Sequence, residues 1–300
     1  MKYVFIVNPK AGDGKSEEVI RKLLENEPLK DLCEIHSTEY KGDDTDYCRK
    51  YLEEHKDEEV RFIACGGDGT INGVVNGIVG YDNASFTPFP NGSGNDFVKC
   101  FPNVDFNDIH SLLTAPVKKI DLMKVDDLYS VNVTNFGFDT TVAVTVNEGR
   151  DRRGHGEKSD YTKGIVKALL TAMKNKAKII VDGEVINPEG QYLLCTLSNG
   201  QYVGGSFKCA PRSSMEDGLI EVCMIKCISR LRFVKVLNPY TNGEHLDDEF
   251  MKDIVVYRQA KKIEVFAPKG FAYSLDGEII YTEHFVCEIA EKAINLAIPE

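Results

Sequence analysis

Nowhere in this 300-residue chain does an apolar run approach the roughly 18 residues that a membrane-spanning helix requires, so no bilayer crossing is expected. A surplus of positive charge is missing as well. With 36 Lys and Arg against 47 Asp and Glu the net charge is -11, which argues against nucleic acid as a partner, because a phosphate backbone demands a basic surface. The cysteines do not suggest a disulfide framework: nine of them, an odd number scattered from Cys33 to Cys287, fit buried thiols in a reducing cytosol. The closest two, Cys223 and Cys227, have three residues between them and no histidine nearby, which speaks against a zinc site. Internal repeats and low-complexity tracts are also lacking. The opening stretch from Met1 to Pro9 has too short an apolar run and no small-residue cleavage site for a signal peptide, and reads as a first β-strand.

What is present, 42% hydrophobic and 28% charged residues, is the composition of a soluble globular protein with length enough for two cores. The first 120 residues alternate. Lys2 to Val7, Cys33 to Ser37 and Val60 to Cys65 read as strands; Ser16 to Leu24, Thr45 to Glu54 and Ile71 to Val79 read as helices. Such alternation implies parallel strands joined by helical crossovers, with functional loops at the C-terminal ends of the strands. Beyond Ile120 the texture becomes β-rich, with strands expected over 129–135, 178–181, 192–198, 219–225, 261–267, 271–275 and 285–289. One helix is predicted there, from Tyr161 to Lys176. The expectation is an α/β domain over 1–120 and an antiparallel β domain over 121–300, with the last residues packing back on the first domain and the active site in the cleft between the two.

Gly66-Gly67-Asp68-Gly69-Thr70 directly follows an apolar strand. Three glycines in four positions free the backbone to turn sharply and aim its N–H groups at an anion such as phosphate. Asp68 would repel a bare phosphate, so a divalent cation or a proton-bearing group is implied, and with it phosphoryl transfer. Asn91-Gly92-Ser93-Gly94-Asn95-Asp96 is a second glycine-rich turn ending on a carboxylate. The stretch from Lys10 to Ser16 is no P-loop, since that motif needs glycine where Pro9 stands, and it is no dinucleotide fingerprint, since Glu17 stands where a third glycine belongs. It remains a polar loop between strand and helix. In the second half Asp276-Gly277-Glu278 offers acid/base carboxylates, although Asp-Gly after a strand is also a common hairpin turn. The turn from Ser213 to Leu219, with its carbonyls and Asp217, could hold a hard cation such as Mg²⁺. Charge is uneven: from Arg150 to Lys178 nine Lys and Arg stand against Asp151, Glu157 and Asp160.

Taken in order, these pieces resemble the diacylglycerol kinase catalytic-domain family, which includes bacterial lipid kinases and sphingosine kinases. The matching stretches are Asn8-Pro9-Lys10-Ala11-Gly12, Thr38-Glu39-Tyr40, Gly66 to Thr70 with Asn72 and Asn76-Gly77, and Asn91 to Phe97. Further on come Gly137-Phe138-Asp139, Asn199-Gly200 with Gly204-Gly205, Ala210-Pro211, Asp217-Gly218-Leu219 and Asp276-Gly277-Glu278. The first and third are shared with NAD kinases. The later ones are more specific to lipid kinases, and the match spans nearly the whole chain.

The resemblance implies a Rossmann-like N-terminal domain, a β-sandwich-like C-terminal domain, and ATP lying across Asn8 to Gly12, Thr38, Gly66 to Thr70, Asn72, Ser93, Asn95 and Asp96. Asp276 or Glu278 would be the general base, Asp276 being preferred, while Asp68 and Asp96 would organise the Mg²⁺ that accompanies ATP. By the same analogy the Ser214 and Leu219 carbonyls and the Asp217 carboxylate would form a structural Mg²⁺ site. Gly73 departs from the glutamate usual in the family, and Ser93 from a threonine. The activity implied is ATP- and Mg²⁺-dependent phosphorylation of a membrane-lipid hydroxyl, diacylglycerol above others, by a cytoplasmic protein peripheral to the inner face of the membrane. The basic stretch 150–178 is a candidate contact with anionic lipid, and a homodimer is left open. The competing readings are a soluble-substrate kinase of the NAD kinase type and a nucleotide- or lipid-binding regulator that has lost activity.

Overall fold

A computed structural model describes residues 1–12, 14–153 and 158–300. The chain divides into two compact units, Met1–Leu122 with Ala290–Glu300, and Met123–Ile289.

The first unit is built on β1 (Lys2–Val7), β2 (Cys33–Ser37), β3 (Val60–Gly66) and β4 (Ala84–Pro90). Between them run α1 (Ser16–Leu24), α2 (Asp43–Glu54) and α3 (Asp68–Ile78), with α4 (Ile109–Thr114) following β4. The strands pair in parallel in the order β2-β1-β3-β4, as consecutive strands joined through helices must. Every residue of β3 is buried, which explains its unbroken apolar run: both faces of the sheet are covered. On one face Tyr3, Phe5, Val7, Ile63 and Cys65 meet Ile20 and Leu24 of α1 and Leu112 and Leu113 of α4. Toward α2, the Tyr51 ring stands edge-on to Phe62. The α2–α3 contact is closed by the Thr45 hydroxyl, which donates to the Gly73 carbonyl at 2.8 Å, and by Arg49, which donates to that of Asn76 at 2.9 Å. Two helix starts come earlier than the apolar pattern predicted, at Asp43 and Asp68, because carboxylates and glycines suit a first helical turn without adding to its apolar face.

The chain then runs through β5 (Val117–Val125), β6 (Leu128–Ser130), β7 (Val133–Gly137), α5 (Phe138–Arg153), α6 (Lys158–Thr171), β8 (Asn175–Lys176), β9 (Lys178–Val181), β10 (Glu184–Val185), β11 (Gln191–Tyr192), β12 (Leu194–Ser198), β13 (Ile220–Ile225), α7 (Arg230–Asn242), β14 (Val255–Ala260), β15 (Lys262–Phe266), β16 (Ala272–Leu275), β17 (Glu278–Tyr281) and β18 (His284–Ala297). The unit boundaries fall inside β5 and β18, so the last strand belongs to both units, and its end in the first unit lies parallel to β4 with Leu296 opposite Phe86.

In the second unit an antiparallel sheet of order β14-β13-β12-β7-β16-β17 shares a core with β9, β15 and the start of β18. Phe136, Tyr192, Leu197, Val222, Ile263, Val265, Tyr273 and Phe285 fill that core, with Phe136 edge-on to Tyr192 at 5.4 Å and to Phe285 at 5.8 Å. A second core, on the other side of the six-stranded sheet's residues Val133, Leu194, Cys223 and Ile225, takes in Phe138 and Val142 of α5, Ala168 of α6 and Phe233, Val236 and Tyr240 of α7.

Two predicted elements differ markedly here. The strand over 129–135 is two strands, because the N–H groups of Val131, Asn132 and Val133 donate to the Asp276 carboxylate instead of a ladder. The helix predicted to reach Lys176 stops at Thr171; the Asn175 amide donates to the Ala172 carbonyl at 2.8 Å and to that of Leu193 at 2.7 Å, and Asn175–Lys176 then pairs with Gln191–Tyr192. Helices α5 and α7 were not anticipated. Helix α5 carries the β-branched run Thr140, Thr141, Val142, Val144, Thr145 and Val146, and its Thr141 and Thr145 hydroxyls donate back to the carbonyls of Gly137 and Thr141, a device that lets threonine sit inside a helix. Helix α7 contains Pro239, which argues against a helix on sequence. Its ends were legible, since Ser229 caps the N-terminus by accepting from the Arg232 N–H at 3.3 Å and Gly243 closes the C-terminus at φ +77°.

Candidate functional site

Because β1, β2, β3 and β4 are parallel, the loops that leave them emerge on one edge of the first unit's sheet. These are the stretches predicted to meet the nucleotide. The Asn8 N–H donates to the Cys65 carbonyl at 3.0 Å and the Thr38 N–H to that of Val7 at 2.9 Å, which ties Asn8 and Thr38 to the ends of β3 and β1. Asn8 also accepts from the Lys10 N–H at 2.9 Å and, through its carbonyl, from the Ala11 N–H at 3.1 Å, folding Pro9, Lys10 and Ala11 into a tight turn. Gly12 follows at φ +60°, and a Cβ there would strike the Asn91 side chain.

The loop after β3 is shorter than its glycines suggest. Gly66 ends the strand, Gly67 is the N-cap and Asp68 already begins α3, so Gly69, Thr70 and Asn72 are helical. Its N-terminus therefore places the positive end of the helix dipole at the sheet edge, where an anion is favoured. A Cβ on Gly66 would strike Thr70, and one on Gly67 would crowd the Gly92 Cα at 3.2 Å. The Asn91 N–H donates to the Gly66 carbonyl at 2.8 Å, and Asn95, at φ +51°, accepts from the Gly92 N–H at 2.9 Å. Ser93 lies on the turn that these bonds close.

Asp68 and Asp96 come together around Gly94. Asp68 Oδ1 accepts from the Phe97 N–H at 3.0 Å and Asp96 Oδ1 pairs with Lys99 at 3.0 Å. Their other oxygens flank Gly94, the Cβ position of which lies 3.0 Å from Asp68 Oδ2 and 3.5 Å from Asp96 Oδ2. Two carboxylate oxygens beside a side-chain-free residue and a helix N-terminus fit a hard divalent cation held with phosphate. Among the described residues no group of three or more His, Cys, Asp or Glu forms a metal cluster, so a cation here would complete its shell with other oxygens.

In the second unit Asp276 and Gly277 are the two central residues of the β16–β17 hairpin, at φ +46° and +94°, with Leu275 opposite Glu278. Positive φ at both positions is the turn that an Asp-Gly pair favours. Asp276 is therefore a turn residue, and its carboxylate does more: Oδ1 accepts from the Ser130 hydroxyl at 2.9 Å and the N–H groups of Asn132 and Val133 at 3.1 and 2.8 Å, and Oδ2 from the Val131 N–H at 2.8 Å. Four donors thus engage both of its oxygens. Glu278, half-buried, opens β17 directly after the turn.

The exposed turn that holds Asp217 has Gly218 at φ +71°, with the Leu219 N–H donating to Asp217 Oδ1 at 3.1 Å. Ser214 accepts from the Glu216 N–H at 3.3 Å through its hydroxyl. One carboxylate among backbone carbonyls suits a cation rich in water ligands, so the residues fit a structural Mg²⁺.

A further acid lies in the Gly137-Phe138-Asp139 stretch. Burial pushes the Asp139 carboxyl up to about 7, and its Oδ2 is enclosed without a hydrogen-bond partner. Nearby, His245 is buried against the Tyr240 ring, 5.0 Å between centroids, and desolvation lowers it to about 4. The Tyr240 hydroxyl meets Thr196 Oγ1 at 3.1 Å. Of the basic stretch from Arg150 to Lys178, residues 154–157 lie outside the described residues.

A parallel sheet with glycine-rich loops on its C-terminal edge is thus followed along the chain by a second, largely antiparallel unit. Residues 2–125 match the diacylglycerol kinase catalytic domain, and residues 132–298 match the YegS C-terminal NAD kinase beta sandwich-like domain. The chain belongs to this family of bacterial lipid kinases. It is 28% identical over 278 residues to the diacylglycerol kinase of Bacillus subtilis, covering 91% of this chain and 88% of that one. A Staphylococcus epidermidis protein provisionally named a lipid kinase is 34% identical over 279 residues, covering 89% of this chain and 87% of its own. The crystal structure of a diacylglycerol kinase from Bacillus anthracis superposes with a TM-score of 0.72 at 21% identity, covering 99% of this chain and 96% of that one, and so shares the fold.

Proposed function

We propose that this protein uses ATP and Mg²⁺ to phosphorylate the hydroxyl of a membrane lipid, with diacylglycerol as the acceptor and phosphatidic acid as the product. The observation that carries the reading is the pairing of Asp68 with Asp96 around Gly94, at the N-terminus of α3 and beside the loops of Asn8 and Thr38. It is supported by membership of a lipid-kinase family and by likeness to the B. subtilis protein named a diacylglycerol kinase.

In this reading the phosphates of ATP rest on the turn from Asn8 to Gly12, on the N-terminal turn of α3 from Gly67 to Thr70 and on the Ser93 turn, with Thr38 and Asn72 completing the nucleotide's surroundings. Asp68 and Asp96 hold the accompanying Mg²⁺, whose charge offsets that of the transferring phosphoryl group. An alcohol is a weak nucleophile at neutral pH, so its proton must leave as the oxygen attacks. The acceptor oxygen bonds to the γ-phosphorus, the bond from that phosphorus to the β–γ bridging oxygen breaks, and ADP departs. We assign the proton to Glu278 and give Asp276, whose oxygens are engaged by four donors, the role of fixing the hairpin that presents Glu278. The Asp217 turn, with Ser214 and Leu219, is proposed to hold a structural Mg²⁺.

Incubation with γ-labelled ATP, Mg²⁺ and either diacylglycerol, a total lipid extract or NAD tests the assignment. Labelled phosphatidic acid is expected. Label on NAD alone would give the soluble-substrate reading instead, and no labelled product with any acceptor would leave a nucleotide- or lipid-binding regulator.

A further inference from the structure

Helices α6 and α7 are apolar on both sides. Inward, Ala168, Phe233, Val236 and Tyr240 belong to a core of the second unit. Outward, Val166 and Leu170 on α6 are 52% and 68% exposed, and Leu231 and Val234 on α7 are 85% and 71% exposed. The spacing, four residues on α6 and three on α7, makes each pair one stripe along its helix. The helices adjoin: Arg230, in the first turn of α7, donates to the Leu169 carbonyl at 2.7 Å and to that of Leu170 at 3.4 Å. A surface groove lined by Met173, Lys174, Ile228 and Arg232 runs between the end of α6 and the start of α7. Single exposed apolar side chains are ordinary, but four on adjoining helices form a patch.

The patch has a charge of its own. Residues 161–178 hold five lysines and residues 226–243 hold four Lys and Arg, and neither segment contains an Asp or Glu, in a chain of net charge -11. Lys163, Lys167, Lys174, Arg230, Arg232 and Lys235 are exposed. Lys163 pairs with Asp160, which is buried, and Lys167 with Glu148 on α5. Arg232 and Lys235 lie over the Phe250 ring, at 5.2 and 5.9 Å. Helices with bulky apolar residues on the outer face and cations at the rim suit the headgroup boundary of an anionic bilayer, where the apolar side chains enter the acyl region and the Lys and Arg heads stay at the phosphates.

We propose that the outer face of α6 and α7, centred on Val166, Leu170, Leu231 and Val234, is the surface by which this protein docks on anionic lipid membranes. The proposal deepens the lipid-kinase reading by naming where the enzyme meets the bilayer, and it rests on that reading for its purpose. The rim charge selects a bilayer over a second copy of this acidic chain, and no helix among the described residues is long and apolar enough to span a membrane instead.

Co-sedimentation with vesicles of phosphatidylcholine alone, or with about one third phosphatidylglycerol, tests it without reference to catalysis. The wild-type chain should bind the anionic vesicles at low salt, leave the neutral ones in solution, and release as ionic strength rises. Leu231→Ser with Val234→Ser should lower the partition coefficient at least about tenfold, and Lys174→Gln with Lys235→Gln should do so at low salt only. Circular dichroism and melting keep the test valid, since these side chains are exposed and their loss should leave the fold intact. Phosphorylation of a short-chain acceptor dispersed without vesicles should be unchanged in both variants. Binding that is indifferent to lipid charge, binding retained by both variants, or a dimer in sedimentation velocity that only these substitutions dissociate would each overturn the proposal. Failure of the lipid-kinase reading would show separately, as vesicle binding without lipid phosphorylation by the wild type.

Discussion

The carboxylate of Asp44, in the first turn of α2, occupies the space that a side chain on Gly73 of α3 would fill: a Cβ built on Gly73 would strike all three carboxylate atoms of Asp44. The Thr45 hydroxyl, one residue on, donates to the Gly73 carbonyl, so α2 is held against α3 at this glycine. Helix α2 thus sets a carboxylate beside Gly73, the position at which the family resemblance implied a glutamate.

Gly73→Ala should therefore destabilise the first unit, although alanine in a helix interior is ordinarily favoured over glycine by about 1 kcal/mol. A loss of about 1–3 kcal/mol is expected in denaturant unfolding, and a gain in stability would show that Asp44 moves aside freely. Gly73→Glu alone should be worse, adding like-charge repulsion, and Asp44→Ala in the same chain should recover most of that loss.

Asp276 and Glu278 should separate by what their amides do. Glu278→Gln is expected to lower kcat by about two orders of magnitude or more with the melting temperature unchanged. Asp276→Asn places an NH2 group against N–H donors from residues 131–133, so it should lower the melting temperature as well as the rate. A stable, fully folded Asp276→Asn protein with no activity, beside an active Glu278→Gln, would return the base to Asp276.

Asp68→Ala should remove MgATP binding, because its Oδ2 faces the same space as that of Asp96 while its Oδ1 holds the Phe97 N–H. Calorimetry checks this, with wild-type affinity as the contrary outcome. Asp96→Ala should weaken binding without abolishing it.

Two buried groups give opposite pH dependence. Asp139 is raised from 3.8 to about 7, so the folded state binds the extra proton and stability falls as pH rises through that window. His245 is lowered from 6.5 to about 4, so its contribution is complete above 6.5 and is lost as pH falls toward 4. Between about 4 and 6.5 the two offset. Asp139→Asn should expose the histidine alone, giving stability that declines steadily with acid through that range, together with a gain of roughly 1–2 kcal/mol at pH 8. Unfolding curves measured from pH 4 to 8 would reveal either slope.

The parallel half of the fold was legible because β1, β3 and their crossovers carry local signals: apolar runs covered on both faces, and glycines at the strand ends. Gly66 to Thr70 and Asn91 to Asp96 could each be identified alone, whereas their contact through Gly67 and Gly92, like the meeting of Asp68 and Asp96, depends on residues far apart in sequence. Helix α5 was hidden by its threonines and valines, which alternate as a strand does, and α7 by Pro239. The cradle of Asp276 could not be anticipated, since its donors lie about 145 positions earlier and show only as a break between β6 and β7. The Asp44 carboxylate beside Gly73 was equally invisible, as nothing in the α2 sequence distinguishes it from its acidic neighbours.

The near-contact of Gly67 with Gly92 also bears on how tightly a nucleotide can be held. With a hydrogen bond from Asn91 to Gly66 beside it, this contact welds two loops from successive strands into a single piece. Loops that must be ordered on binding subtract that entropy from affinity, and these two are already ordered by the folding of the sheet beneath them. A methyl group on Gly92 would strike the Gly67 Cα and prise the pair apart, and the phosphates of the proposed reaction would then have to assemble a surface that is now preformed.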